Sequence, residues 1–429
     1  MIDGADYASS LGDRGAVHLQ KSLYAPAGEA HVHFPDMPTY SRDSLYGILK
    51  ILQPLDIRIR RKPDQDWTTV FRGFVRSIGR DEQVGSDGRV QRSVTVVGHD
   101  CGAAFLMQTL GTIVTWQNKD KPLFQSLGWL SSWLTGKELT QKPHKIGDFL
   151  WEVATQSTKS IMEKAAFFFQ KQFTVDTGYV IPTQVTSLEG PVWSLLSRYS
   201  DAPWNEFFVR EGRDDPELVF RPTPWLDVDN NPLSGGKTPL ALEIALSDIL
   251  ALSAHRDDAE LVNHVWVNSP ALAGAEYVQM KDLKEGLVTP DTREQFGDRA
   301  PQGLATWLGP TEKSPENAPE GEFPEITAKY KEWITERQAW AVKAGSQVHE
   351  LERGAVTCKG NPTLRVGEYI HVARGPLLDW NGYCVSVSHD FQPFHRYVTT
   401  VEYIRGTQWL NRKKIASSNP WDKERATGT

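Results

Sequence analysis

Three β-type segments occur twice in this 429-residue chain, in the same order and about 310 residues apart. The first set spans 55–60, 71–75 and 94–98, and the second 367–372, 380–385 and 400–406. Matching Asp56 to Glu368, Gly73 to Gly382 and Gly98 to Gly406 gives offsets of 312, 309 and 308 residues. Recurrence in order at a nearly constant offset points to two related β modules in one polypeptide, separated by long segments that do not match. Three such chains would carry six similar modules round an axis, enough to join a sixfold partner to a threefold one.

The length allows two to four domains. With 39% hydrophobic and 24% charged residues, the composition is that of a globular protein with cores to bury. Fifteen Trp residues lean towards assembly, because large aromatics serve both cores and interfaces. A net charge of −7 argues against an extended nucleic-acid-binding surface, which needs clustered Lys and Arg. The longest basic run, Arg412-Lys413-Lys414, reads as a solvated tail. Cys101, Cys358 and Cys384 stand singly, without the spacing of a zinc site or redox pair, so reduced structural thiols are expected. The first residues are polar, and no run reaches the roughly 18 apolar residues of a membrane span, so folding in a cytoplasm without a membrane anchor is expected.

Along the chain, Leu55, Ile57 and Ile59 alternate with Asp56, Arg58 and Arg60, the period of a half-buried strand, within an antiparallel sheet or barrel over about 29–98. Ile146, Phe149, Leu150, Val153 and Ala154 then line one helical face. A second helix is expected over about 160–173, a short one around Trp193, Leu195 and Leu196, and a hairpin from 207–210 and 218–221. Residues 223–239 read as a linker. Strands are expected at 248–253 and 262–267, and an amphipathic helix on Ile326, Tyr330, Trp333, Trp340 and Ala344, its stripe broken by Arg337. The fold class expected is α+β, mainly β: two related tube-like antiparallel β-barrel modules with helical insertions. The division expected is a first barrel over 1–110, a helical insertion over 111–200 and a hairpin over 201–225 completing the first module. A linker with the first strands of the second barrel over 226–270, a loop and helical insertion over 271–350, the rest of that barrel over 351–410 and a tail over 411–429 complete it.

Candidate chemistry is sparse. Asp227, Asp229 and Asn231 are spaced like half a calcium loop, but Pro232 stands where Gly is needed and Thr238 where a bidentate Glu should be, so linker is the better reading. Gly236-Lys237-Thr238 resembles the end of a phosphate loop without its earlier glycine or buried strand. His99, Asp100 and Cys101 are adjacent, and on extended backbone neighbours point to alternate sides and make no relay. His264, His371 and His389 fit ordinary sheet positions. No catalytic residue, metal ligand or cofactor is assigned. A hydrolase acting on cell walls, its active site in the helical insertions, is the opposing reading, although no separated carboxylate pair stands out.

One set of residues is more specific. Gly360-Asn361-Pro362 leading to Gly367-Glu368, then Tyr383, Val385 and His389 in 382–389, then 397–402 through Arg405, resembles the last module of contractile-tail baseplate hub proteins. Residues 94–100, with Gly98 and Asp100, followed by Ala103, Ala104 and Leu106, are similar to that family's first module. The resemblance covers about half the chain and implies a structural, non-enzymatic virion protein of a phage or phage-like tail baseplate, assembled in the bacterial host cytoplasm. It implies a homotrimer in which each protomer gives two barrels, stacking under the hexameric tail tube. The implied partners are the tail tube protein, the trimeric central spike protein and baseplate wedge proteins, with DNA met only in transit through the channel.

Overall fold

A computed structural model of the chain describes residues 1–35, 44–62, 64–84, 86, 88, 90–110, 144–180, 190–233, 241–269, 287–299, 304–313, 319, 321–373 and 379–407. The basic run Arg412 to Lys414, the 411–429 tail and the Gly236 to Thr238 sequence lie outside these residues, as do 111–143 and 181–189 of the first insertion. The chain divides into two compact units. The first comprises Met1–Asp100, Pro224–Glu260 and Gln347–Thr429, and the second Cys101–Thr223 and Leu261–Ser346.

The first unit opens with β1 (Ala16–Ser22), β2 (Glu29–Pro35), β3 (Pro54–Ile59), β4 (Thr68–Val84) and β5 (Val90–Asp100). They pair antiparallel in the order β1-β2-β5-β4-β3. Period-two alternation decides which side chains turn inward. Val17, Leu19, Val32, Phe34, Leu55, Phe71, Val75, Val94 and Val96, drawn from all five strands, pack into one core, so the sheet curls round a shared interior. Each such side chain contributes about 1.5–3 kcal/mol when fully buried. Gly98 leaves room for this packing: a Cβ there would stand 2.4 Å from Leu55 Cδ2.

In the second unit, α1 (Ile146–Lys164) buries Ile146, Phe149, Leu150, Val153 and Ala154 along the face their spacing defines. It runs unbroken through Ser160, so the two helices expected from sequence are one, ended where Ala166 takes a φ of 54°. Residues expected to finish the second helix form instead β6 (Gln170–Phe173). The next helix, α2 (Val192–Tyr199), buries Val192, Leu195, Leu196 and Tyr199. A hairpin of β7 (Asn205–Arg210) and β8 (Glu217–Pro222) follows, and β6 pairs with β8 in parallel. The Phe173 ring explains the strand: it packs edge-on against Phe207 and Phe220, at 6.4 and 5.5 Å between centroids. This hairpin, expected to complete the first module, therefore sits in the three-stranded sheet of the second unit. Last comes α3 (Phe323–Ser346), where Arg337 lies within the buried stripe. Its Nε and Nη2 donate to Asp201 Oδ2 at 3.0 and 2.6 Å, and its guanidinium stacks 3.3 Å from the Trp333 ring centre. Asp201 Oδ1 also accepts from the Trp307 amide at 3.1 Å. One ion pair thus joins the two stretches of chain that make this unit.

Back in the first unit come β9 (Ala241–Ala245), β10 (Ile249–His255), β11 (Glu352–Lys359), β12 (Tyr369–Ala373), β13 (Asp379–Gln392) and β14 (Arg396–Thr407). The order is β10-β11-β14-β13-β12, with β9 added parallel to β12. The chain order and the sheet order of β10 to β14 are those of β1 to β5. Residues 261–346 of the second unit fall between β10 and β11, where the first module has only a short hairpin. Both fourth strands carry a bulge, between Val75 and Ser77 and between Cys384 and Ser386, so Arg76 and Val385 are equivalent at an offset of 309. Leu55 faces Gly73 where Ile370 faces Gly382, and Val75 faces Gly98 where Cys384 faces Tyr403. Register therefore sets the flanking offsets at 315 and 305, each three residues from the sequence match.

The modules are joined where β1 pairs with β13, from Val17 opposite Phe391 to Ser22 opposite Ser386. The result is one eleven-stranded sheet, with no closed barrel among the described residues. The expected closure of the first module is not seen among the described residues. One edge of β1 is taken by β2 and the other by β13, which leaves none to meet β3. Arg61, just past β3, forms an ion pair with Asp248, just before β10, at 2.5 Å. The fold is mainly β, of the α+β class.

Candidate functional site

Several motif residues of the second module converge on the turn between β11 and β12. A Cβ on Gly360 would collide with the Tyr397 ring at 1.9 Å, and the Gly360 amide donates to the Tyr397 carbonyl at 2.8 Å. Beside it, the Asn361 amide donates to Thr399 Oγ1 at 2.9 Å, and Asn361 Oδ1 accepts from the amide and hydroxyl of Thr363 at 3.1 and 2.8 Å. Pro362 is buried next to this turn. Thr399 Oγ1 and the Tyr397 hydroxyl in turn lie 3.0 and 3.1 Å from His389 Nδ1. Burial pushes the His389 pKa down to about 4, so the ring is neutral at pH 7, and burial raises the Tyr397 hydroxyl. Gly367 adopts a φ of 78°, a conformation suited to glycine, while its amide donates to the Cys384 carbonyl at 2.9 Å.

A second set holds the chain that enters the module. Arg405, at a φ of 53° and 6% exposed, donates from Nε and Nη2 to the Leu226 carbonyl at 3.1 and 2.9 Å, with its guanidinium 5.0 Å from the Trp225 ring centre. The Tyr369 hydroxyl accepts from the Leu226 amide at 3.0 Å and donates to the Pro224 carbonyl at 3.3 Å. Tyr383 supports Tyr369, ring against ring at 5.2 Å. Burial brings the Arg405 pKa down to about 10, which leaves it charged at neutral pH. The Asp227 carboxylate accepts from the Asp229 and Asn231 amides at 3.0 and 2.8 Å. Both bonds go to Oδ1 and lie within its own turn, in keeping with a linker.

In the first module, Asp100 Oδ2 accepts from the Gly28 amide at 2.8 Å and pairs with Lys21, which closes the β1–β2 hairpin. His99 lies on the opposite side of the strand, 3.9 Å from Glu29, while Cys101 is buried, so the His99, Asp100 and Cys101 side chains form no relay. Val385 is the bulge residue, and its carbonyl accepts from the Leu23 amide at 2.7 Å. His371 Nδ1 is 2.7 Å from Asn381 Oδ1 across the β12–β13 ladder, and His264 sits on a two-residue strand. All three cysteines are free and buried, and burial pushes Cys358 up to about 11 and raises Cys384 further. Raised thiols stay protonated and unreactive. Among the described residues, no group of three or more His, Cys, Asp or Glu is placed to hold a metal ion, and no helix is long and apolar enough to cross a membrane.

The site is therefore a pair of hydrogen-bonded clasps. Sequence reasoning picked out Gly360, Asn361, His389 and Arg405 and placed Tyr397, Thr399 and Tyr369 on their strands, but it did not pair them, and it left out Leu226. The signal available was the alternation of 397–401, which puts Tyr397 and Thr399 on one side of the strand.

No protein-family model matches the chain, and no curated protein matches it. Solved structures similar to it include a tail protein from Neisseria meningitidis MC58, at 9% identity over 91% of each chain with a TM-score of 0.47. Another is the 43 kDa tail protein of prophage MuSo2 from Shewanella oneidensis, at 11% identity over 91% of this chain and 94% of that one, TM-score 0.48. A third is the E. coli c3393 protein, a component of the type VI secretion system with structural similarity to T4 bacteriophage tail proteins gp27 and gp5. It is 8% identical over 94% of this chain and 76% of that one, with a TM-score of 0.39.

Proposed function

We propose that this chain is a structural component of a phage or phage-like tail, the trimeric hub that joins a sixfold tail tube to a threefold central spike. The observation that carries the reading is the module written twice: five strands in the same chain order and sheet order, with a bulge at the equivalent residues Arg76 and Val385. A protomer with two like modules lets three chains present six like surfaces, which is the geometric requirement for matching threefold to sixfold symmetry. The motif residues act by holding this geometry. Gly360, Asn361, Pro362 and His389 fix the turn between β11 and β12, Gly367 ties the start of β12 to β13, Tyr383 and Arg405 fix the incoming chain, and Gly98 and Asp100 fix the first module.

Tube, spike and wedge proteins are the partners of this reading, and DNA passes through the channel without being gripped. An acidic balance of −7 suits a lumen that must repel phosphate. The protein then resides in the tail baseplate of the virion and works without catalysis. Multi-angle light scattering on the purified full chain tests the assembly step. We expect three times the protomer mass at micromolar concentration, and a stable monomer would contradict the hub.

A further inference from the structure

His18 on β1 and His31 on β2 are directly opposite each other on the outward face of the first module. Side chains so paired have Cβ atoms about 4.5–5.5 Å apart, and here the ring centres are 6.3 Å apart. Each ring is held by a carboxylate, but through different nitrogens. His18 Nδ1 lies 2.7 Å from Asp390 Oδ1 on β13, and His31 Nε2 lies 3.2 Å from Glu29 Oε1. An ionised carboxylate only accepts, so His18 Nδ1, hydrogen-bonded to Asp390, carries the proton and Nε2 keeps a lone pair. Two imidazoles on adjacent strands, each with a carboxylate beside one ring nitrogen, share the carboxylate–histidine pairing that orients histidine ligands in metal sites.

We propose that His18 and His31 form a surface site for one divalent transition cation of the kind imidazole favours, such as nickel, copper or zinc, with water completing the coordination. Asp390 and Glu29 are positioning residues. Asp390 fixes the His18 tautomer, and both carboxylates raise the basicity of the rings beside them. Because Asp390 belongs to the second module and His18 to the first, an occupied site would also bear on the β1–β13 seam.

Titration of the untagged full chain with nickel chloride, followed by calorimetry, tests the site. We expect one saturable equivalent per chain. His18→Gln and His31→Gln should each weaken it by about tenfold or more, and Asp390→Asn by about tenfold, the usual effect of losing an outer-shell partner. His395→Gln, at an exposed hairpin tip, should leave it unchanged. Copper-loaded protein should show two-nitrogen coordination in its electron paramagnetic resonance spectrum. No saturable uptake, or uptake that survives both His18→Gln and His31→Gln, would overturn the proposal. An unchanged affinity in Asp390→Asn would overturn the role given to the carboxylate. The altered side chains face outward, and circular dichroism of each variant confirms that the fold is kept.

Discussion

His389, read from sequence as an ordinary sheet position, is a strut in the fold. It is 6% exposed, and its ring is hydrogen-bonded through Thr399 and Tyr397 to the Gly360 turn. Its burial has a consequence for stability. The folded-state pKa is about 4, while an unfolded histidine titrates near 6.5. The unfolded chain therefore binds the proton first, so His389's contribution is fully present above about pH 6.5 and is lost as pH falls towards 4. The loss amounts to about 3 kcal/mol at the acid end, at 1.36 kcal/mol per pKa unit. Urea unfolding midpoints between pH 7 and pH 4 should fall more steeply for the wild type than for His389→Gln; parallel profiles would contradict the assignment. That His389 lay on a strand was legible from alternation. Its partners were not, because cross-strand neighbours depend on register, and sequence spacing does not reveal register.

Helix α3 illustrates the same limit at the scale of an element. The apolar spacing of Ile326, Tyr330, Trp333, Trp340 and Ala344 announced a buried stripe, and all but Trp340, which is half-buried, are buried. Arg337 looked like a break in that stripe because a charge is costly inside a protein. The break disappears once Asp201, over a hundred residues away, supplies two hydrogen bonds and Trp333 supplies a ring face. Removing one partner of a buried pair leaves the other uncompensated, at a cost of about 3–5 kcal/mol. Arg337→Ala should therefore lower the calorimetric transition of the second unit by that amount, and Asp201→Leu combined with Arg337→Met should recover much of it. A loss below about 1 kcal/mol in Arg337→Ala would show that the pair is not what joins the two stretches. The merged helix α1 has a related cause. Ser160 resembles a helix start, yet the preceding turn already buries Val153, Ala154 and Thr158, and nothing interrupts it before Ala166.

At the scale of the whole molecule, repetition was the legible feature and closure was not. Three strands could be matched from residue types at offsets of 312, 309 and 308, and the fold extends the match to five strands in each module. The flanking offsets moved by three residues because acidic residues and glycines were matched by type, whereas the ladders match by bulge and register. The sequence reading closed each module on itself. The chain instead uses the free edge of β1 to join the modules, a choice that depends on a pairing between residues more than 360 positions apart. The proposed function stands on this duplication. Electron cryomicroscopy of the purified full chain, reconstructed without imposed symmetry, tests it most directly. We expect threefold rings in which six β modules lie at one radius and near-equal spacing. Rings with the two modules of each protomer at different radii, or single protomers only, would contradict it.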